Sequence, residues 1–578
     1  MSKKIVRRPF VSDQHLPVSL SPILRQIYAS RGVAGENELQ LSSKQLLSAS
    51  LMLGLVEASA LVYQALLAKQ RILIIGDFDA DGATSTALMM EGLRLMGSVN
   101  HQFLVPNRFE YGYGLSPEIV DVAHQQGAEL IVTVDNGISC HQGVAHAKSL
   151  GINVVITDHH LPGEKLPDAD AIVNPNQPNC QFPSKAIAGV GVAFYLMLAL
   201  RKYCREQHWF TEQGIPEPNI AQLLDLVALG TVADVVALDA NNRILVQQGL
   251  QRIRAGHTRP GIQALIEIAK RNQATMVASD FGFALGPRIN AAGRLDDMAY
   301  GINCLLAPDI NTARVMAYEL DTLNQTRREI EQGMQLEAER VLTKLSFNEN
   351  NMPAAIALYQ ADWHQGVIGI VAGRIKEKYH RPTIVFAAAS EENTAELKGS
   401  ARSIQGLHIR DLLEHIHSRH PDLILKFGGH AMAAGLSIKT ENFAQFQTLF
   451  QQYAEQWLTA EALEAIVLSD GSLASQYLSL NFAQELRDAG PWGQAFTEPV
   501  FDDEFVIVQQ RLVGEKHLKL MVEKGKQCFD AIAFNVDLTC WPNNQAKKVQ
   551  LAYKLDINEF RGRQNLQLMV EHIVALTD

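Results

Sequence analysis

The chain has 578 residues, 47% of them hydrophobic, and a formal net charge of -11. That length allows several cores and predicts three or four domains, while the acidic balance excludes capture of polyanions by the average field and leaves any nucleic-acid contact to a local basic channel. Six cysteines without CxxC spacing exclude a disulfide framework and a structural zinc site, and with no bilayer-length apolar run and no signal-peptide core in MSKKIVRRPF the sequence reads as a soluble cytoplasmic protein with no membrane partner.

An N-terminal arm carries Arg7, Arg8 and Arg25. From Ser42 to Lys69, apolar residues at helical spacing (Leu47, Leu51, Leu55, Ala58, Val62, Leu66) predict a helix. RILIIG (71–76), HQFLV (101–105), ELIVTV (129–134), NVVIT (153–157) and AIV (171–173) are short β-rich runs alternating with helical segments, the pattern of a doubly wound parallel α/β sheet. A buried helix begins at Ala221, and a long polar helix is predicted over Asn311 to Leu345 as a connector. AAIALYQ (354–360) and TIVFAAA (383–389) then flank IGIVAGRIKEKY, opening a second α/β domain that runs to about Trp457. Past Glu461, six strand candidates beginning with AIVLSDG, with one helix (QYLSLNFAQELRDA) among them, predict a small closed or nearly closed β-barrel.

Three sites far apart in sequence put carboxylate or imidazole groups directly after predicted strands: DFDADG at 77–82, VDNG at 134–137 and TDHH at 157–160. The carboxyl ends of strands in an open parallel sheet form one crevice, so these groups are expected to converge. Asp234, in GTVADV, is a fourth site after the buried helix. Asp77, Asp79 and Asp81 on one tight turn are costly neighbours unless a cation neutralises them. Oxygen-rich ligation with imidazole suits Mn²⁺ or Mg²⁺ better than zinc. Two such ions, roughly 3.5–4 Å apart, steady both oxygens of a phosphoryl displacement. A lone Asp-Gly turn or a lone His-His pair is more often a solvated turn or packing, so the argument rests on their co-occurrence at successive strand ends.

DFDADG, TVDNG, DHH (158–160) and GTVADV (230–235) resemble the four signature motifs of the DHH phosphoesterase superfamily, and GGHAMAAG (428–435) resembles the glycine-rich motif of its DHHA1 domain. PNRFEYGYGL (106–115), GPRINAAGRL (286–295), LNQTRREIE (323–331), WHQGVIGIVAGRI (363–375) and KGSARS (398–403) are similar to its branch of bacterial single-stranded-DNA-specific 5′-to-3′ exonucleases. The resemblance implies an N-terminal arm (1–45), a DHH domain (46–310), a connector helix (311–347), a DHHA1 domain (348–457) and an OB-like barrel (461–578). It implies one metal at Asp79 and Asp135 with Asp77 near it, and another at Asp81, Asp135, His159 and Asp234, so that Asp135 bridges the pair. His160 would face the scissile phosphate and Asp158 would orient a histidine. Many smaller relatives carry a histidine where Ile75 stands here.

A 5′-phosphate pocket is implied at Arg108, Arg288, Ser400 and Arg402, with Gly428, Gly429 and His430 nearby. Tyr111, Tyr113, Trp363, His364 and Phe427 become candidates for base stacking, and Arg327, Arg328, Arg374 and Lys376 for backbone contacts. Lys516, His517, Lys519 and Lys524 are candidates for the barrel's binding face, whereas GPWGQAF (490–496) reads as structural. The implied activity is release of 5′-mononucleotides by a monomer in DNA recombination and repair, with a single-strand-binding protein and a helicase as partners. Two other readings compete. One is a DHH phosphodiesterase for short oligonucleotides or cyclic dinucleotides, whose members are usually shorter and lack the barrel; the other is a non-catalytic DNA-binding scaffold, which would lack the metal ligands.

Overall fold

The computed structural model describes residues 3–106, 114–344, 352–390, 393–538, 540–560 and 562–576. Arg108, Tyr111 and Tyr113 therefore lie outside the described residues. The chain forms two compact units, one of residues 9–324 and 481–499, the other of 1–8, 325–480 and 500–578. The first strand, β1 (Lys4–Arg7), and helix α1 (Pro22–Ser30) thus belong to different units.

The unit built from 9–324 centres on five parallel strands: β2 (Ile72–Ile75), β3 (His101–Leu104), β4 (Leu130–Val134), β5 (Asn153–Thr157) and β6 (Ala171–Val173). Their spatial order is β3-β2-β4-β5-β6, so the winding reverses beside β2, and a crevice opens there between the carboxyl ends of β2 and β4. Every residue of β2 and β4 is buried, as expected for continuous apolar runs covered on both faces.

The stretch 42–69 is not one helix. It makes two short 3₁₀ turns, Ser43–Gln45 and Ala49–Leu51, before helix α2 (Leu55–Leu67). The hydroxyls of Ser42 and Ser48 accept from the amides of Lys44 and Ser50, a local bonding pattern that competes with helix propagation. Four more helices serve the site: α3 (Ala80–Leu95), α4 (Gly189–Glu206), α5 (Leu224–Ala233) and α6 (Gly286–Leu295). The predicted polar helix is α7 (Ile310–Lys344), 35 residues long, and the division between the units falls within it.

Residues 481–499 were expected to sit with the barrel but pack into this unit. The Ser21 hydroxyl donates to Glu485 at 2.7 Å and the Tyr28 hydroxyl to the Ala489 carbonyl at 2.8 Å. Trp492 and Phe496, in the segment read as structural, stack on each other and on Tyr28, and the Arg243 guanidinium lies 4.2 Å above the Phe496 ring. Sequence distance hid this partnership, because tertiary packing decides where a short amphipathic helix docks.

In the other unit, β7 (Ile356–Tyr359), helix α8 (Ile368–Tyr379), β8 (Thr383–Ala388), β9 (Glu396–Arg402), β10 (Lys426–Gly429) and β11 (Ala433–Lys439) build a mixed sheet of order β10-β11-β9-β8-β7. Its core gathers Phe386, Leu412, Ile416, Phe446 and Phe450. The AIVLSDG strand, β12 (Ile466–Ser469), does not enter the barrel; it pairs in parallel with β1. The Arg7 guanidinium grips Asp502 through two bonds of 2.9 Å each, and Arg8 pairs with Asp470. The barrel is closed by β13 (Phe501–Val513), β14 (His517–Lys524), β15 (Gln527–Ala533), β16 (Lys548–Phe560) and β17 (Arg563–Leu576), in the order β13-β14-β15-β17-β16. Closure removes the sheet edges. Among the described residues no single helix is long and apolar enough to cross a membrane.

Candidate metal centre and anion pocket

The eight acidic and imidazole residues singled out in the sequence meet at the carboxyl ends of β2, β4 and β5. Asp77 follows β2; Asp79 caps α3, its Oδ1 accepting from the amides of Asp81 and Gly82 at 3.0 Å each; and Asp81 lies in the first turn. Asp135 follows β4 with a left-handed backbone, φ +61°. The triplet Asp158, His159 and His160 follows β5, and Asp234 terminates α5.

Three groups of ligand atoms lie within 4.8 Å of one another: Asp77, Asp79 and Asp135; Asp81, His159 and Asp234; and Asp135, His159 and His160. Asp135 is common to the first and the last. The Nε2 atom of His159 stands 3.1 Å from Asp135, 3.5 Å from Asp234 and 4.0 Å from Asp81.

Two close approaches hold this arrangement. The amino end of α4 points its first amides at Asp81, Gly189 N donating at 2.6 Å and Val190 N at 2.9 Å, a helix terminus serving an anion. That docking requires a glycine, because a Cβ at Gly189 would sit 2.6 Å from the Asp135 carboxylate. The amide of Ala80, between Asp79 and Asp81, donates to Asn290 on α6 at 2.8 Å. Gly189, Val190 and Asn290 were missed in the sequence; the only local signals were the GVG preceding an apolar helix and the polar Asn290 within GPRINAAGRL.

Asp81 is 1% exposed and Asp135 2%. Burial, and next the charge of Asp79, pushes the Asp81 carboxyl up to about 7. Asp77, Asp135 and Asp234 are raised for the same two reasons, burial first and neighbouring carboxylates second. The Oδ2 atom of Asp234 is buried, and among the described residues no donor hydrogen-bonds to it. A cluster so short of positive charge, and so rich in oxygen, fits hard divalent cations.

Asp158 is different. Burial alone would raise it, but its bond from His160 and the charge of both imidazoles outweigh burial, and its carboxyl lies below the usual range. It accepts from the amides of Ile138, His159 and His160 and from His160 Nδ1, the last at 2.8 Å. Burial works against protonation of His160, yet the Asp158 bond prevails and pushes it up to about 9. Asp158 thus bonds the His160 ring.

The implied phosphate-binding residues separate. Arg288 lies on α6, paired with Asp321 at 2.8 Å and donating to the Ala284 carbonyl. Ser400 and Arg402 are on β9 in the other unit, where β11 sets Gly435 opposite Ser400 and Ala433 opposite Arg402, and β10 sets Gly428 opposite Gly435. Gly429 and His430 complete the turn into β11, the His430 amide donating to the Ala433 carbonyl. Arg402 donates to the Ser400 hydroxyl at 3.2 Å and the Ala401 carbonyl at 2.8 Å, and among the described residues no carboxylate pairs with it. Burial pushes its guanidinium below the ordinary value. The amino end of α8 comes close, for a Cβ at Gly369 would meet Ser400 Oγ at 2.9 Å and Arg402 Nη2 at 3.1 Å. A hydroxyl, a guanidinium and a helix amino end side by side are chemistry that can cradle an anion.

Several looser candidates have structural partners instead. Trp363 is buried and its indole donates to Glu337, so it packs rather than stacks. Arg327 and Arg374 both pair with Glu331. On the barrel, Lys519 pairs with Asp530 and Lys524 with Asp503.

Models of three families match this chain: the DHH family, N-terminal domain, over residues 71–231, the DHHA1 domain over 351–456 and the RecJ OB domain over 469–572. The chain is 58% identical over 576 residues to the single-stranded-DNA-specific exonuclease RecJ of Salmonella typhimurium, covering 99% of each chain. Among solved structures it is similar to RecJ of Thermus thermophilus in complex with Mn²⁺, with a TM-score of 0.79 and 28% identity over 100% of this chain and 80% of that one. The Mg²⁺ complex of the Thermus protein matches with a TM-score of 0.73 and 26% identity over 100% of this chain and 79% of that one.

Proposed function

The chain belongs to the RecJ family of single-stranded-DNA-specific exonucleases, and from that premise we propose how its residues carry the reaction. It is a metal-dependent exonuclease that acts on single-stranded DNA with Mn²⁺ or Mg²⁺. The observation that carries the mechanism is the position of Asp135, shared between a carboxylate group with Asp77 and Asp79 and an imidazole group with His159. Two ions would be held there, one by Asp79, Asp135 and Asp77, the other by Asp81, Asp135, His159 and Asp234.

When bound, divalent ions lower the pKa of water and offset charge on the entering and leaving oxygens of a phosphoryl displacement. The protein's own part is positional. Asp158 takes the Nδ1 proton side of His160, which directs Nε2 toward the scissile phosphate as a hydrogen-bond donor. The α4 amides fix the Asp81 carboxylate.

Digestion runs 5′ to 3′ and releases 5′-mononucleotides. The Ser400 and Arg402 cradle supports this, because a terminal phosphate supplies the counter-charge that Arg402 lacks, with Gly428, Gly429 and His430 lining its rim. The enzyme is a cytoplasmic monomer in recombination and repair, with a single-strand-binding protein and a helicase as partners. A phosphodiesterase for dinucleotides is disfavoured by the barrel and by the full-length match. The deciding experiment follows end-labelled strands with and without a 5′-phosphate in Mn²⁺ or Mg²⁺. The 5′ label is expected to leave first and faster from phosphorylated ends; loss of the 3′ label first overturns the direction.

A further inference from the structure

Strand β6 ends beside β5, with Val173 opposite Thr157, but the segment after it, NPNQPNC (174–180), holds no acidic or imidazole group. Its asparagines face the histidine pair instead. Asn174 is fully buried; its Nδ2 donates to the His160 carbonyl at 2.9 Å and its Oδ1 accepts from the Asn176 amide at 2.7 Å. The Asn176 side chain reaches two segments at once, its Nδ2 donating to the His159 carbonyl at 2.6 Å and to the Lys185 carbonyl at 3.1 Å. Both partners are carbonyl oxygens, so only the NH2 end of the amide can face them, and both of its protons are used. Lys185 stands four residues before Gly189, where α4 begins and its amides hold Asp81. The Lys185 ammonium donates back to the carbonyls of Pro175 and Cys180, at 2.5 and 3.0 Å, fastening the two segments a second time. One side chain thus spans from the backbone of His159 to the segment that delivers the helix end holding Asp81, and the two side chains so held approach to 4.0 Å.

We propose that Asn176 is a positioning residue for metal binding: it sets the span between His159 and Asp81, and with it the affinity for the ion that these two would hold with Asp234. The inference rests on the two-ion reading above and deepens it. Groups that orient ligands without touching the metal govern its affinity, and losing one typically costs about 10- to 100-fold. The effect falls on one ion of the two, because Asp77 and Asp79 follow β2, three strands away from β6. Asn176 acts through His159 and Asp81 rather than on the substrate.

The test titrates Mn²⁺ into the metal-free full chain by calorimetry and, separately, follows digestion of a single strand against Mn²⁺ concentration. Asn176→Ala is expected to weaken one of two Mn²⁺ sites about tenfold or more and to leave the other within about twofold, with half-saturation of digestion moving by the same factor as the weakened site. Asn176→Ser, which offers one proton in place of two, shifts the same site and keeps the test readable should the alanine variant fail to fold. Gln177→Ala is the control, since Gln177 Nε2 likewise donates to two carbonyls, of Leu53 and Ile172, at 3.1 and 2.8 Å, and neither belongs to the cluster. A merely structural loop predicts that both positions lower the thermal unfolding midpoint and that neither moves Mn²⁺ affinity. Parent-like affinity at both sites in the Asn176 variants, or an equal shift in Gln177→Ala, overturns the brace. If instead Asp135→Ala titrates like the parent, the two-ion reading beneath it falls.

Discussion

The metal centre and the Arg402 cradle are opposite solutions to one electrostatic problem. At the first, Asp77, Asp81, Asp135 and Asp234 are buried together and their carboxyls are driven upward by burial and mutual repulsion. At the second, a guanidinium is withdrawn from water with a hydroxyl and a helix amino end beside it and, among the described residues, no carboxylate paired to it. Each keeps one sign of charge in excess, which a domain built only for stability avoids, since unpaired buried charge costs several kcal/mol. A third buried charge in the same chain shows the ordinary case: Asp502 meets Arg7 and the Ser469 hydroxyl, and needs nothing from outside. The contrast separates charges that hold the fold from charges that wait for a ligand.

The comparison breaks most visibly at Asp135. Asp135→Ala should lower single-strand digestion about a thousandfold or more, since a metal ion contributes several kcal/mol to a transition state and each 1.36 kcal/mol is a decade. Titration of the full chain with Mn²⁺ should show weakened binding alongside; parent-like digestion would sink the shared-ligand assignment. Arg402→Ala sharpens the other side. It should reduce kcat/KM on 5′-phosphorylated strands on the order of 30-fold or more, the cost of truncating a buried charge pair, and leave strands with a 5′-hydroxyl nearly unaffected. An equal loss on both substrates would argue against phosphate recognition.

The smallest effect comes from the self-contained pair. Burial alone would raise Asp502, but the Arg7 and Ser469 bonds outweigh it and hold the carboxyl below its ordinary value. Its stabilisation is therefore present above the ordinary carboxylate pKa and disappears as pH falls through the lower folded value. Arg7→Ala should cost about 1 kcal/mol at pH 7 in urea unfolding, as for a partly exposed charged bond. The difference from the parent should shrink below about pH 4, near the unfolded aspartate value; an undiminished gap at pH 3 would rule the linkage out.

How much was legible in the sequence follows the same division. The convergence of Asp77, Asp79, Asp81, Asp135, Asp158, His159, His160 and Asp234 could be expected because each group follows a strand or a buried helix, and a parallel sheet brings strand ends together. The helix amides that fix Asp81 could not, because Gly189 is 108 residues away and its role is a close approach rather than a chemistry. The overlong helix prediction at 42–69 failed on serine side chains that cap short turns. Apolar spacing alone is blind to that competition. AIVLSDG read as a barrel strand because strand pattern carries no information about its partner, here four residues at the start of the chain.

The excursion of residues 481–499 also has a consequence for biogenesis. Domains generally fold as they leave the ribosome, amino-terminal first. Here the unit that carries the acidic cluster borrows Trp492 and Phe496 to cover Tyr28 and Arg243. That unit is finished only after more than four-fifths of the chain has been synthesised, so a nascent or truncated product ending before residue 481 would display the whole acidic cluster on an incomplete scaffold. The late closure ties maturation of that unit to translation through residue 499.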